Sequence, residues 1–102
     1  MSKLSDYYII HGWMQNKEGL GLKRLELYLY AIIYGYSKDG NNSMFASTTY
    51  LADMLNTTQP KVVEALKKLT EKNLIIKETV TNNGFVLGCK YIVNFDMINN
   101  FI

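Results

Sequence analysis

Between Ser47 and Ile75 the chain concentrates side chains that can hold an anion and read a hydrogen-bonding edge. Hydroxyls come from Ser47, Thr48, Thr49, Thr57 and Thr58, an amide from Gln59, and positive charge from Lys61, Lys67 and Lys68. Hydroxyl and ammonium groups donate to phosphate oxygens, and a Gln amide can pair in bidentate fashion with adenine. One carboxylate, Glu64, stands among them. It repels phosphate unless it accepts from a cytosine amino group or pairs with Lys61, Lys67 or Lys68. A solvated helix face with i,i+4 pairing is the bland account of the same charges.

Other chemistry lacks its parts. His11 is the only histidine and has no visible metal-binding or acid–base partner, so it reads as a structural residue of the "IIHGW" stretch. Trp13 reads as a core or interface anchor. Cys89, the single cysteine, sits on an apolar strand face and is expected to be buried and inert. Asp39 and Gly40 belong to a turn, without the ligand spacing of a calcium loop. No glycine-rich phosphate loop, paired-carboxylate arrangement or nucleophile–base signature occurs. The expectation is a non-enzymatic chain with no cofactor and no metal.

The 102 residues fit one small domain, and 48% hydrophobic with 13% aromatic residues is enough for a core. One cysteine forbids an intrachain disulfide, and no apolar run approaches the roughly 20 residues of a membrane span. A cytoplasmic protein is expected. The net charge of +2 is feeble for a nucleic-acid binder, so the distribution of charge must decide. Pro60 to Lys77 holds five lysines against two glutamates, a modestly basic surface suited to about three to five phosphate contacts.

The elements that must position these residues follow from periodicity. Residues 7–15, "YYIIHGWMQ", are rich in aromatic and β-branched types and read as a short strand or extended arm, followed by a turn at "NKEGLG". Leu22 to Tyr36 is the first strong helix, with Leu22, Leu25, Leu29, Ile32, Ile33 and Tyr36 at helical spacing. Its remaining Leu27, Tyr28, Tyr30 and Tyr34 make it apolar on more than one face, so it either supports a homodimer or packs its tyrosines on the N-terminal arm. "SKDGNNS" closes it, and "MFA" reads as a very short strand. Ser47 caps a helix over 48–55, "NTT" is the turn, and Thr58 caps a third helix that runs to about Lys72, with Asn73 left-handed. Two β-rich runs then flank Asn82-Asn83-Gly84, a hairpin signal. Ile76 and Val80 alternate with Lys77, Thr79 and Thr81, and Phe85, Leu87, Cys89, Tyr91, Val93 and Phe95 share one face of the return strand.

The offsets suit a helix–turn–helix: Ala52 where the helices approach, Asn56 in the turn, and Leu51, Leu55, Val62, Leu66 and Leu69 as anchors. "LADMLNTTQPKVVEALKKLTEKNLI" resembles the winged helix–turn–helix core of bacterial regulators. The match includes Lys72, Leu74 and Ile75, with Thr58 for the capping Ser, Lys61 before the anchor Val62, and Asn56 and Asn73 in place of two glycines. Upstream, Ile33, Tyr34, Gly35, Tyr36, Ser37, Asp39, Gly40 and Ser47 resemble the N-terminal domain of phage and prophage replication proteins of initiator or replisome-organiser type. That resemblance covers about residues 7–95.

It implies an α+β winged helix–turn–helix: a three-helix core, an N-terminal strand or arm and a C-terminal β-hairpin wing. The helix–turn–helix would span 47–75 and the wing 76–95, in one domain over 1–102. It further implies duplex DNA as partner, with replication proteins beside it. The third helix would enter the major groove, with Gln59, Lys61, Val63, Glu64, Lys67, Lys68 and Glu71 outward. Thr57, Thr58, Gln59 and Lys61 would lie at its start, where base contacts concentrate. Ser47, Thr48 and Thr49 would meet phosphate at the second helix, Lys67, Lys68 and Lys77 would track the backbone, and Asn82, Asn83 and Lys90 would contact it from the wing. A transcription regulator or a protein-interaction winged helix are the alternatives. The end at "NFDMINNFI" reads as the edge of a fragment or of a short stand-alone product.

Overall fold

The computed structural model describes residues 8–37 and 47–102. Among the described residues four helices and a β-hairpin follow in order: α1 (Gly12–Gln15), α2 (Arg24–Ser37), α3 (Thr48–Met54), α4 (Gln59–Glu71), β1 (Ile75–Asn82) and β2 (Phe85–Val93), with a 3₁₀ turn at Phe95–Met97. The class is α+β, and the sheet among the described residues has two antiparallel strands. Residues 38–46, most of "SKDGNNS" and all of "MFA", lie outside the described residues, as does Tyr7.

α2 is the centre. It buries Leu27, Leu29, Tyr30, Ala31, Ile32 and Ile33, which spread around the helix rather than along one stripe, because α1, α4 and β2 pack on different sides of it. At its end the buried Ser37 hydroxyl donates to the Ile33 carbonyl at 2.8 Å and accepts from the Val93 N–H at 3.0 Å. One side chain thus ties the last turn of α2 to the end of β2. Burial raises the Tyr30 phenol well above its ordinary pKa, so the group stays neutral.

α4 is amphipathic in the ordinary sense. Val62, Ala65, Leu66 and Leu69 recur at three- and four-residue spacing and are buried, while Lys61, Val63, Glu64, Lys67, Lys68 and Glu71 are exposed. α3 begins as expected: Ser47 is its N-cap, and the Oγ accepts from the Tyr50 N–H at 3.0 Å. Thr58 is the N-cap of α4, but its hydroxyl makes no capping bond.

Both helices end alike. Asn56 has φ 55 and Asn73 has φ 62, the left-handed conformation that stops a helix. After α3 the amides of Asn56 and Thr57 bond to the carbonyls of Asp53 (3.3 Å) and Ala52 (2.9 Å). After α4 the amides of Asn73 and Leu74 bond to those of Thr70 (3.0 Å) and Leu69 (3.1 Å). This paired pattern satisfies carbonyls that a helix end leaves orphaned, and Asn tolerates the geometry nearly as well as Gly. The hairpin turn uses Asn83 (φ 53) and Gly84 (φ 86), the two positive φ values of a type I′ turn.

Of the two N-terminal expectations the strand is corrected and the extended arm remains, with His11 in extended backbone. No strand forms over residues 8–11, and Gly12–Gln15 is one helical turn. The amides of Met14 and Asn16 bond locally to the His11 and Gly12 carbonyls at 3.0 Å, which closes the helical turn. The aromatic content serves packing instead: Trp13 meets Tyr30 and Tyr34 edge-on at 6.1 and 5.4 Å and stacks on Phe101 at 5.8 Å. His11 meets Tyr34 at 5.4 Å and Tyr8 meets Tyr28 at 6.3 Å. The α2 tyrosines therefore pack largely on this segment.

The hairpin faces are also corrected. Ile75 and Val93 are paired and buried, whereas Ile76 is half exposed. Cys89 is only half-buried. The pairing shifts between Val80 and Thr81: Val80 stands opposite Gly88 but Thr81 opposite Val86. An extra residue in β2 changes which face the side chains take beyond it. Phe85 ends 73% exposed at the hairpin tip instead of continuing the apolar face, and Val86 beside it is 69% exposed.

Candidate nucleic-acid interface

The residues expected to contact a ligand occupy the starts of α3 and α4, the outer side of α4, and the hairpin. At the two helix starts the Gln59 Nε2 donates to the Thr48 Oγ1 at 2.6 Å. This bond holds the helices together across the turn and occupies one Gln59 N–H, leaving its carbonyl and second N–H for a base edge. Ser47, Thr49 and Thr58 are exposed beside it, and Thr57 is half-buried.

Not all the expected cations are equally available. Lys68 lies 4.0 Å from Glu64, a loose exposed i,i+4 pair worth at most about 0.5 kcal/mol. Lys72 donates to Glu26 at 2.7 Å and clamps the end of α4 to α2. Lys61, Lys67 and Lys77 have no carboxylate within ion-pair distance among the described residues. Lys90 is half-buried and stands opposite Glu78 across the hairpin, without an ion pair to it. Asn82 and Asn83 are exposed at the tip. Glu64 is answered by Lys68, as the helical spacing allows, rather than left against a ligand alone.

The lysines of α4 also point in different directions. At 100° per residue Lys61 and Lys68 fall together on one flank, about 100° or more from Lys67. That flank faces the start of α2. Lys23, Arg24, Leu25, Glu26, Pro60, Lys61, Glu64, Ala65 and Lys68 line an open groove there. Lys23 and Arg24 were not among the expected contacts. Their signal in the sequence is the basic pair in "LKRLE" at the start of the first strong helix. Arg24 has φ 52, a left-handed backbone that costs a bulky L residue about 1–2 kcal/mol. Among the described residues no cluster of three metal-ligating side chains occurs, and no helix is long and apolar enough to cross a membrane.

With this geometry in hand, the chain matches the family model of the DnaD N-terminal domain over residues 9–97. It belongs to that family. The matched span runs from the α1 segment through the 3₁₀ turn, so every expected contact residue falls inside the DnaD N-terminal domain. Membership makes the chain a replication-type domain. No curated protein matches the chain, and no solved structure does.

Proposed function

We propose that the chain is a non-enzymatic winged helix–turn–helix module that binds duplex DNA within a replication protein of phage or prophage type. The observation that carries this reading is the exposed outer side of α4, with Lys61, Lys67 and Lys68 set between an α3–α4 turn and a protruding hairpin. The family match supports the replication context. α4 is the recognition helix in this reading: Gln59 reaches base edges from its first turn, and Lys61 beside it contacts phosphate. Lys67 and Lys77 contact phosphate, and the exposed Asn82 and Asn83 follow the backbone from the wing.

Lys61→Ala and Lys67→Ala each remove about one phosphate contact, so each should flatten the salt dependence of duplex binding by about 0.9 in log Kobs against log salt. Fluorescence anisotropy across a salt series reads this directly. Unchanged slopes in both variants would move the DNA surface elsewhere.

A second reading has an observation of its own. Phe85 and Val86 form an exposed apolar pair at the wing tip, which suits contact with another replication protein better than contact with phosphate. Self-association through helix 22–36 has less to draw on, since Tyr30 and Tyr34 are engaged by Trp13 and only Tyr28 and Tyr36 are exposed.

A further inference from the structure

The groove between the start of α2 and the flank of α4 carries charge that the protein itself does not answer. Four cations line it, Lys23, Arg24, Lys61 and Lys68, against two carboxylates, Glu26 and Glu64. Glu26 is already engaged at 2.7 Å by Lys72, which lies outside the lining. Glu64 sits at 4.0 Å from Lys68. Lys23, Arg24 and Lys61 have no carboxylate within ion-pair distance among the described residues. A chain of net charge +2 has thus gathered three unanswered cations along one cleft, which focuses a positive potential there.

We propose that this groove is a phosphate-backbone site, in which Lys23 and Arg24 hold one strand of the duplex together with Lys61 and Lys68. The inference rests on the DNA-binding reading above and adds Lys23 and Arg24 of α2 to the α4 lysines. Lys61 and Lys68 are seven residues apart on α4, about 10 Å along the axis at about 1.5 Å per residue. Two cations that far apart reach different phosphates of one strand, since the duplex rises about 3.4 Å per step. Arg24 supplies a planar fork that can take two phosphate oxygens at once, and Lys23 a point charge beside it. The spread of Lys23, Arg24, Lys61 and Lys68 along one open cleft favours a continuously charged strand over an acidic peptide. So does the continuity of the groove with the exposed side of α4.

The test uses the full chain and a fluorescent random-sequence duplex, titrated between about 50 mM and about 200 mM salt. Lys23→Gln with Arg24→Gln should lower the salt slope by about 1.8, two contacts at about 0.9 each. Arg24→Lys should keep the wild-type slope, because it keeps the charge. Lys17→Gln, at an exposed lysine outside the lining, should also keep it. Thermal melts by circular dichroism verify that each variant is folded.

An unchanged slope in the folded double variant, with wild type binding normally, overturns the groove site and leaves the α4 reading standing. In that case saturable binding of a Glu-rich peptide, lost in the double variant, reassigns the groove to an acidic protein segment. Absence of duplex binding by wild type at low salt overturns both readings together.

Discussion

Leu69→Ala is expected to lower the free energy of unfolding by about 2–5 kcal/mol. Leu69 is fully buried in the third turn of α4, and it belongs to the cluster that joins α4 to α2 and to Leu51 and Ala52 of α3. Truncation removes the transfer energy of the lost carbons and leaves a cavity that the surrounding helices cannot close completely. For a domain of this size each kcal/mol moves the melting temperature by about 4–8 °C, so the midpoint should fall by about 10 °C or more. Lys67→Ala, two residues away on the exposed side, should change stability by no more than about 0.5 kcal/mol. Chemical denaturation of the two variants reads the contrast. A loss below about 1 kcal/mol for Leu69→Ala would mean that α4 is not clamped to the core as described, and the placement of its lysines would go with it.

Gly19→Ala should be the most damaging small change outside the core. A Cβ at position 19 would lie 2.1 Å from the Trp13 carbonyl oxygen and 2.9 Å from its carbonyl carbon. Both are backbone atoms, so no side-chain rotation relieves the contact. The turn must open, and the Leu20 N–H bond to the Trp13 carbonyl, 2.9 Å long, opens with it. Overpacking of this kind costs about 1–3 kcal/mol. Trp13 is the only tryptophan, and its ring contacts with Tyr30, Tyr34 and Phe101 depend on this turn. The variant should therefore show red-shifted tryptophan emission even where it remains folded. Gly35→Ala is the opposite case: a Cβ there meets nothing within 4 Å, and the residue lies within α2. It should stabilise by about 0.5–1 kcal/mol through helix propensity. Equal effects at the two glycines would contradict the packed turn at α1.

What was legible in the sequence was what is encoded locally. The Ser47 cap, the left-handed Asn56 and Asn73 and the Asn83-Gly84 turn are each set by a few neighbouring residues, and each is found where the sequence places it. The buried stripe of α4 follows from three- and four-residue spacing alone. The illegible features depend on partners distant in sequence. Residues 8–11 have the composition of a strand, but no strand lies beside them among the described residues, so their aromatics turn to α2 instead. Strict alternation along β2 puts Phe85 inward, but the register shifts between Val80 and Thr81, and at the hairpin tip Phe85 and Val86 are both exposed.

The site shows the same division. Lys61, Lys67 and Lys68 were recognisable as outward-facing lysines from helical periodicity. That Lys61 and Lys68 share a cleft with Lys23 and Arg24 depends on how α2 crosses α4, a fact of packing between segments about forty residues apart. Likewise Lys72, one of five lysines counted toward a basic surface, is drawn off by Glu26 across that same junction. The sequence reading therefore overcounted the charge on the far end of α4 and missed charge at its near flank.

The central claim is that this domain grips duplex DNA chiefly through its lysines. It is tested most directly by the salt dependence of wild-type duplex binding. Three to six phosphate contacts predict saturable binding at about 50 mM salt, with log Kobs falling against log salt at a slope of about −3 to −5.5. No binding at that salt, or binding with a slope near zero, would contradict the account.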